Sequence, residues 1–503
     1  MGLVIRQSIY STIISYVGVV IGYINLLYLY PKFLSLEQVG LFRTIQDAAI
    51  LLSPFAQFGL TLSILRFYPQ LVKSKKESHT FITLVMLLAL AGFAIFFIAF
   101  KIFETPLLSY FQDNAKEIIQ YSSWVLWLTL ILLMIAVLEA FSRSLLKTIV
   151  PNLLREVVAR LLLSVLVLLY FSGILSFDQF IIGSVAAYSL CLLLLIFYLW
   201  HQGEISIQTD FNSLDKTKLS ELVKYSLLSF AGMAGMILIG KIDSLMVSAM
   251  LGLAANAIYT TAFYMATVIE IPKRALSQLA MPLISKAFEK NEMKEIASLY
   301  RKTSINQFII GSLLLIGVWI NLDNIFEWMP KGENYEAGKW VVIIVGCAKL
   351  IDMLFGPSSE IIVLSKYYKF NIVLIIMLAA IVIISNNLLI PRYGIEGAAW
   401  GTAFALIAFN AVKFIFIYVK FGIQPFEWAT VKVLVIGVLT LFVNTLLVEI
   451  DNTLLDILFR SSIITIVFSS LIIGWRTSAD ANGIFDRLNA KVKRRVRKGS
   501  QRD

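Results

Sequence analysis

Stretches of about twenty apolar residues recur along the whole length of this 503-residue sequence. A helix of about 20 residues is long enough to cross roughly 30 Å of hydrocarbon. The composition agrees, because only 15% of the residues are charged and the mean hydropathy is +0.82, whereas a soluble domain carries roughly a quarter charged residues. We therefore predict an all-α membrane protein with many transmembrane helices.

Fourteen apolar runs are long enough to be spans. The first is too long for the apolar region of a signal peptide and has no small-residue cleavage site, so we interpret it as a span. The second is the weakest prediction, because Asp47, Ser53, Pro54 and Gln57 interrupt it. The predicted spans are 8–30, 45–66, 80–101, 118–140, 153–172, 179–200, 222–246, 253–271, 304–322, 340–362, 371–390, 396–418, 430–448 and 457–475.

The distribution of lysine and arginine predicts the orientation. With the N-terminus in the cytoplasm, about 33 basic residues fall on the inside and about 8 on the outside, in line with the positive-inside rule. Lys273 and Lys413 are counted among the inside residues, while Lys241 and Lys349 lie within spans. Because the C-terminal tail is strongly basic, the number of spans must be even and both termini are predicted to be cytoplasmic. The net charge of +11 therefore needs no nucleic-acid partner.

An internal repeat of about 217 residues predicts two like-oriented bundles. Each repeat contains six spans, so the two six-helix lobes are parallel and related by an axis along the membrane normal. Rocking of one lobe against the other would then open a cleft to either side in turn. The matching landmarks are Tyr10-Ser11 with Tyr225-Ser226, Leu36–Phe42 with Leu253–Tyr259, Leu145 and Lys147 with Leu364 and Lys366, and Gly183-Ser184 with Gly401-Thr402. The predicted domains are residues 1–205, residues 206–424, a two-span segment 425–476 and a tail 477–503.

The loops and the tail are short or basic. The longest loop, 272–303, is predicted to carry a short amphipathic surface helix built on Met293, Ile296, Ala297 and Tyr300. The tail either lies on anionic lipid as an interfacial helix or is a disordered basic segment. Its apolar stripe consists of Ile484, Phe485, Leu488, Val492 and Val496.

Enzymatic and metal chemistry are not predicted. No loop is large enough for a soluble catalytic domain, and the longest outside loop runs only from Asn321 to Lys339. The two cysteines, Cys191 and Cys347, lie in predicted spans and suggest neither a disulfide framework nor a metal site. The two histidines lie in separate loops. No cofactor is predicted.

Two short motifs place charges where lipid is expected, in the seventh and tenth spans. An ionised side chain at the bilayer centre costs about 2.5–3.5 kcal/mol, so Lys241, Asp243, Lys349 and Asp352 must face water, a partner or a substrate. Lys349 and Asp352 are three residues apart and can neutralise each other as a structural pair. Lys241 and Asp243 cannot share a face, so Lys241 is the stronger candidate for binding an anionic phosphate. The aspartate would keep the empty site neutral or take up a coupling proton.

Three further sets are candidates for the transport path. Asn25 and Gln57 offer hydrogen bonds to sugar hydroxyls. Arg143, Arg155 and Arg160 cluster at the predicted cytoplasmic mouth, where they would attract an anionic substrate or simply anchor the protein by the positive-inside rule. Gly356-Pro357 predicts a kink in the tenth span, which is either a hinge or a static bend.

Three patches resemble the multidrug/oligosaccharidyl-lipid/polysaccharide exporter superfamily, on its polysaccharide (Wzx-type O-antigen flippase) branch. The resemblance covers nearly the whole chain, and the most specific patch is the last one. Ala257 and Ser365 depart from the pattern, since the family often has glycine at both positions. The patches are Leu34–Arg43 with Gly59-Leu60 and Phe67-Tyr68-Pro69, Asp243–Tyr259 with Met281–Ser285, and Asn387–Ala403.

The resemblance implies a function and a cargo. It implies an alternating-access flippase that moves an undecaprenyl-pyrophosphate-linked oligosaccharide, for O-antigen, capsule or exopolysaccharide, to the outer leaflet of the bacterial inner membrane. The coupling ion would be H⁺ or Na⁺, and the implied partners are membrane lipids and polysaccharide assembly enzymes. The role of charged lumen residues carries over to Asp243 and, less directly, to Lys241. The alternatives are a multidrug or toxin cation antiporter and a lipid II flippase of the same fold, or, from another class, a membrane-embedded polymerase or glycosyltransferase.

Overall fold

The structure, a computed structural model, describes residues 2–211, 214–480, 482–483 and 486, and these residues are almost entirely helical. The predicted apolar stripe of the tail lies outside the described residues. In chain order, the first helices are α1 (Gly2–Ile24), α2 (Tyr30–Phe33), α3 (Leu36–Gln57), α4 (Leu60–Leu71), α5 (Lys75–Ser109), α6 (Glu117–Gln120), α7 (Ser122–Ser144), α8 (Ile149–Leu153), α9 (Ala159–Phe171), α10 (Phe177–His201), α11 (Lys216–Leu251) and α12 (Leu253–Thr267). They are followed by α13 (Ile271–Glu289), α14 (Met293–Ile320), α15 (Leu322–Trp328), α16 (Lys339–Leu354), α17 (Ser358–Leu364), α18 (Phe370–Phe421), α19 (Trp428–Asn444) and α20 (Thr453–Gly474).

Length and hydropathy identify the membrane spans. Seven helical segments in the described part of the chain are long and apolar enough to cross a membrane, and the number rises to ten if each of three bent helix pairs is one span. The protein is therefore a polytopic all-helical membrane protein. The count of fourteen and the cytoplasmic termini stay predictions. The bent pairs are α3 with α4 (45°), the two halves of α11 (44°), and α16 with α17 (48°).

Helix α18 contains two of the predicted spans, which meet at a kink. Its 52 residues are more than twice the length that a single span needs. Gly394 interrupts it with φ 59° and ψ −139°, a backbone conformation that glycine adopts readily and other residues rarely do. Gly394 lies between the predicted spans 371–390 and 396–418.

The described residues form two compact units. Unit 1 comprises Met1–Thr261, Met329–Asn334 and Asn386–Ala398. Its core packs α3 against α7 and α10, where Phe42 of α3 and Phe180 of α10 are both fully buried with ring centroids 5.2 Å apart. Helix α3 begins at a capping box formed by Ser35 and Gln38, which satisfies the first backbone N–H groups of the helix.

Unit 2 comprises Ala262–Trp328, Tyr335–Ser385 and Ala399–Asp503. Its core is built around α14, whose apolar face packs against α19 and α20. The residues in contact on α14 recur at helical spacing, as one face of a helix requires. They are Ile305, Phe308 and Ile316 of α14, Val433 and Ile436 of α19, and Ile464, Phe468 and Ile472 of α20.

The predicted surface helix in the loop 272–303 is wrong. Met293 begins α14 and is followed by one uninterrupted helix of 28 residues, so the amphipathic pattern belongs to the first turns of a long helix. Ile296 and Tyr300 are fully buried, because these turns pack against α13. Most of the remaining loop is α13 itself.

The break predicted at Gly356-Pro357 is confirmed. Helix α16 ends at Leu354, α17 begins at Ser358, and the two axes differ by 48°. Gly356 has φ +53° and lies so close to Ser304 that a Cβ there would be 3.0 Å from the Cα of Ser304. Only glycine fits this turn without strain. The role of the break as a hinge stays a prediction.

Candidate functional site

A buried ion pair joins α3 and α11 in unit 1. The Nζ of Lys241 donates a hydrogen bond to the Oδ1 of Asp47 at 2.5 Å, and the two side chains are 18% and 4% exposed. Removing each charge from water costs several kcal/mol, and the pair recovers this cost only through close, well-directed contact. Of the environments expected for Lys241 (water, a partner or a substrate), the structure shows a partner, a carboxylate on another helix.

Asp243 lies next to this pair on α11 but has different partners. Its carboxylate accepts a hydrogen bond from the Tyr259 hydroxyl at 3.0 Å and from the Asn386 side-chain amide at 2.7 Å. The side chain is buried, so these contacts replace water around its charge. Lys241 and Asp243 thus belong to two neighbouring polar clusters, as their spacing of two residues on a helix requires.

Two members of this site were missed by sequence reasoning. Asp47 was interpreted only as an interruption of the second span, and Asn386 was not singled out. The signal for Asp47 was its position inside an apolar run together with a lysine, Lys241, that had no partner on its own helix. The signal for Asn386 was weaker, because asparagine in a span needs only one hydrogen-bonding neighbour.

Unit 2 contains a second buried ionic cluster, centred on Asp352 of α16. Lys273 of α13 forms an ion pair with Oδ2 of Asp352, and the Asn410 amide of α18 donates to its Oδ1 at 3.0 Å. The Nζ of Lys413 lies 3.9 Å from the same Oδ1 and donates to the hydroxyl of Ser359 at 3.1 Å. The sequence analysis counted Lys273 and Lys413 as ordinary inside-facing charges. Lys413 is instead almost completely buried.

The expected pairing of Lys349 with Asp352 is wrong. Lys349 forms its ion pair with Glu270, which precedes α13, and its Nζ lies 5.5 Å from the centre of the Phe263 ring. Both residues face the same side of α16, but each finds a closer partner on a neighbouring segment, since tertiary packing brings carboxylates and ammonium groups nearer than one helical turn does.

The charges of this second cluster balance. Lys273, Lys349 and Lys413 are matched by Glu270, Asp352 and Glu360, the last of which is close enough to act electrostatically on Lys273 and Lys413. Such a cluster is neutral as a whole, as buried charges require. Its ammonium groups are also suited to phosphate oxygens, because each can direct three N–H donors to different oxygens.

The two amides proposed for sugar binding differ in their environments. Asn25 is buried and donates to the backbone carbonyl of Arg160 at 3.0 Å, while its oxygen accepts from Ser164 at 2.7 Å. Asn25, the residue after α1, therefore connects the end of that helix to α9 through both halves of its amide. Gln57 is also buried, but its Oε1 accepts no hydrogen bond from a described residue.

The three arginines of the predicted mouth lie in one network with two glutamates. Arg155 contacts Glu139 at 2.7 Å and Glu156 at 3.0 Å, and Arg160 contacts Glu156 at 2.8 Å. Arg143 is farther from Glu139, at 4.0 Å. With three cations and two carboxylates, the network carries one excess positive charge, and its arginine side chains are partly exposed.

The side chains of these sites can bind polar and anionic groups. Within the described residues, no group of three or more His, Cys, Asp and Glu side chains is placed to hold a metal ion. The buried lysines can bind anionic phosphates, and the amides and hydroxyls around them can bind neutral oxygens. Both properties suit the recognition of an anionic or polar solute inside a membrane.

Comparisons with known proteins show which solved structures share this fold. The structure is similar to the lipid II flippase MurJ in an inward closed conformation, with a TM-score of 0.71, 14% identity, and coverage of 92% of this chain and 99% of that chain. It is also similar to an inward-facing multidrug resistance transporter of the MATE family and MOP superfamily, with a TM-score of 0.62, 14% identity, and coverage of 78% and 92%. A MOP superfamily transporter from Pyrococcus furiosus gives a TM-score of 0.56 at 12% identity, covering 84% of this chain and 95% of that one. Comparison with curated protein sequences finds no match.

The family follows from a sequence model. Residues 4–288, more than half of the chain, match the family described as "Polysaccharide biosynthesis protein". This match covers the first two of the three sequence patches and confirms the resemblance to a polysaccharide family, while the solved structures of the MOP superfamily share the fold. The chain therefore belongs to the polysaccharide biosynthesis protein family and is a multi-pass membrane protein.

Proposed function

We propose that this protein is a flippase that moves an undecaprenyl-pyrophosphate-linked oligosaccharide from the inner to the outer leaflet of a bacterial cytoplasmic membrane. The oligosaccharide would be a repeat unit of O-antigen, capsule or exopolysaccharide. Alternating access of two parallel six-helix lobes would carry it across, with H⁺ or Na⁺ as the coupling ion. The family membership supports the polysaccharide part of this proposal.

The observation that carries the proposal is the buried pair of Lys241 and Asp47. A lysine paired with an aspartate on another helix is neutral when the site is empty, and it can turn to a phosphate that displaces the carboxylate. The Lys241 side chain is 18% exposed and the Asp47 side chain 4%, so the ammonium group is the more accessible of the two to such a ligand.

Most of the other candidate residues also have a proposed role in transport. Lys349 and Asp352 belong to a second, charge-balanced cluster that would contact the cargo later in the cycle. Asp243 would take up the coupling ion, and Gln57 would accept a hydrogen bond from a sugar. The excess charge of the network around Arg143, Arg155 and Arg160 would draw the anionic cargo from the inner leaflet. Gly356 and Pro357 would serve as the hinge.

The test is genetic and chemical. In a host lacking the gene, lipid-linked repeat units should accumulate and surface polysaccharide should be lost, and the wild-type gene should restore both. Lys241→Ala should fail to restore them although the protein is inserted at normal levels. Lys101→Ala is the matched control, because Lys101 is exposed and its ion-pair partner, Glu104, lies one turn away on the same helix.

Other results would point to other functions. Unchanged polysaccharide with altered drug susceptibility would indicate a multidrug antiporter. Accumulation of lipid II followed by lysis would indicate a lipid II flippase. Full complementation by Lys241→Ala would refute the role of this lysine.

A further inference from the structure

A polar cavity of about 390 Å³ lies in unit 2, and no residue of the ionic cluster around Asp352 lines it. Its walls are the first three turns of α14, the residue before α19 and the segment that follows α20. Lys294, Arg301 and Lys302 line it from α14, where spacings of seven and eight residues place them on one face. The other lining residues are Ala297, Ser298, Ile305, Glu427, Thr477, Ser478, Ala479 and Asp480.

The wall opposite α14 is held in place by hydrogen bonds. The hydroxyl of Ser478 donates to the amide oxygen of Asn306 at 2.8 Å, and the nitrogen of that amide donates to Asp480 at 2.7 Å. Thr477 and Ser478 are both buried, and Thr477 donates to the backbone carbonyl of Ile472. The segment after α20 is thus tied to α14, so the cavity is preformed.

More basic than acidic side chains line the cavity, three against two. Asp480 accepts from Asn306, and Glu427 lies 3.8 Å from Arg301. Neither Lys294 nor Lys302 makes an ion pair or hydrogen bond with another residue in the described part of the chain. Two ammonium groups and one partly neutralised guanidinium therefore point to an anionic ligand.

Two exposed tryptophans beside the cavity indicate the level of a membrane surface. Trp428, which begins α19, is 74% exposed, and Trp475, which follows α20, is 40% exposed. Tryptophan is enriched where lipid headgroups meet hydrocarbon. Lys432 donates to the backbone carbonyl of Trp475 at 3.0 Å. Farther along α19, exposed apolar side chains continue from this level: Val431, Leu434, Val435, Val438, Leu439 and Phe442.

We infer that this cavity binds the headgroup of an anionic phospholipid, with the phosphodiester on Lys294, Arg301 and Lys302 and the acyl chains along α19. The chemistry recognised is a phosphate ester, which a free phosphate shares. The interfacial tryptophans and the apolar face of α19 favour the lipid source, because a free phosphate needs neither. A volume of about 390 Å³ lies within the range of small-molecule sites, roughly 300–1,000 Å³. The site contains none of the residues proposed to bind the cargo.

Native mass spectrometry of the full-length protein in detergent tests the inference. The probes are phosphatidylglycerol, phosphatidylethanolamine and inorganic phosphate, each titrated separately. We expect one phosphatidylglycerol to bind more tightly than phosphatidylethanolamine, and the triple variant Lys294→Ala, Arg301→Ala, Lys302→Ala to weaken it at least about tenfold, since each basic residue near a membrane surface contributes measurably. The triple variant Arg274→Ala, Lys286→Ala, Lys290→Ala removes the same charge from exposed positions on α13 and should bind as the wild type does.

Further outcomes decide the inference if the triple variant does not fold. Glu427→Gln keeps an oxygen for the capping of α19 but removes a competing negative charge, so it should tighten phosphatidylglycerol binding. Wild-type affinity in the first triple variant, an unchanged affinity in Glu427→Gln, or displacement of the lipid by millimolar inorganic phosphate would each overturn the lipid site.

Discussion

Single charged residues in this protein are stabilised by partners on other helices. Asp47 lies on α3 and Lys241 on α11, and Asp352 on α16 has partners on α13 and α18. In hydrocarbon, a lone charge is costly, so each ionic residue also determines which helices must lie side by side. We propose that some of the same residues also bind the anionic cargo.

The ion pair between α3 and α11 is testable by itself. Asp47→Asn should destabilise the protein by about 3 kcal/mol, because it leaves the Lys241 charge buried without its counter-ion. The double variant Asp47→Asn, Lys241→Met should recover most of this loss. The measurement is the free energy of unfolding in detergent micelles, compared as a double-mutant cycle. Equal destabilisation by the single and double variants would show that the pair does not act as a unit.

Breaks and close contacts in the helices depend on glycine at two positions. Gly40 lets α3 approach the start of α12, because a Cβ there would lie 1.8 Å from the backbone oxygen of Leu253. Gly356 allows the left-handed turn between α16 and α17. Both glycines act through backbone geometry, which a larger residue changes without altering any charge.

Substitution at the break should therefore be costly. Gly356→Ala should lower the stability by about 1–2 kcal/mol, because a residue with a Cβ is strained at positive φ, and the added methyl group would also press on Ser304. The control is Gly317→Ala in the last turn of α14, where a Cβ meets no atom within 4 Å. It should be neutral or stabilising by up to about 1 kcal/mol.

Thermal unfolding followed by circular dichroism compares the two variants. Transport by Gly356→Ala at a temperature where it is still folded then separates a hinge from a static bend. Loss of transport would support the hinge. Wild-type transport would support the bend.

At the scale of the whole molecule, the fold and the family are established, while the topology stays a prediction. The similarity to MOP superfamily structures at 12–14% identity concerns the fold alone. The two compact units within the chain and the candidate spans are compatible with several ways of threading the membrane. The lysine and arginine distribution is the evidence for one of them.

Reporter fusions test this topology. Alkaline phosphatase fused after Lys331 should be active, because that loop is predicted to be outside, and the same enzyme fused after Gly203 should be inactive. Green fluorescent protein at the C-terminus should fluoresce. An active phosphatase at the second position, or a dark C-terminal fusion, would contradict an even number of spans with both ends inside.

The sequence by itself determined that the protein lies in lipid, that it is an all-α membrane protein and to which family it belongs. Apolar runs are local features, and their length alone tells whether a helix can cross hydrocarbon. The break at Gly356-Pro357 and the family patches are also local features, so the sequence alone was enough to predict them. The need of Lys241 for a partner on another helix was also predictable, because two residues two positions apart cannot share a helical face.

Only the tertiary structure shows that the partner of Lys241 is Asp47. Asp47 is 194 residues from Lys241 in the sequence. Lys349 pairs with Glu270 and not with Asp352 on its own helix, because the packing of the helices brings the Glu270 carboxylate closer. Lys413 similarly turned out to be buried rather than a surface charge. A local pattern states what a charge needs, but only the packing of distant helices supplies the group that meets the need.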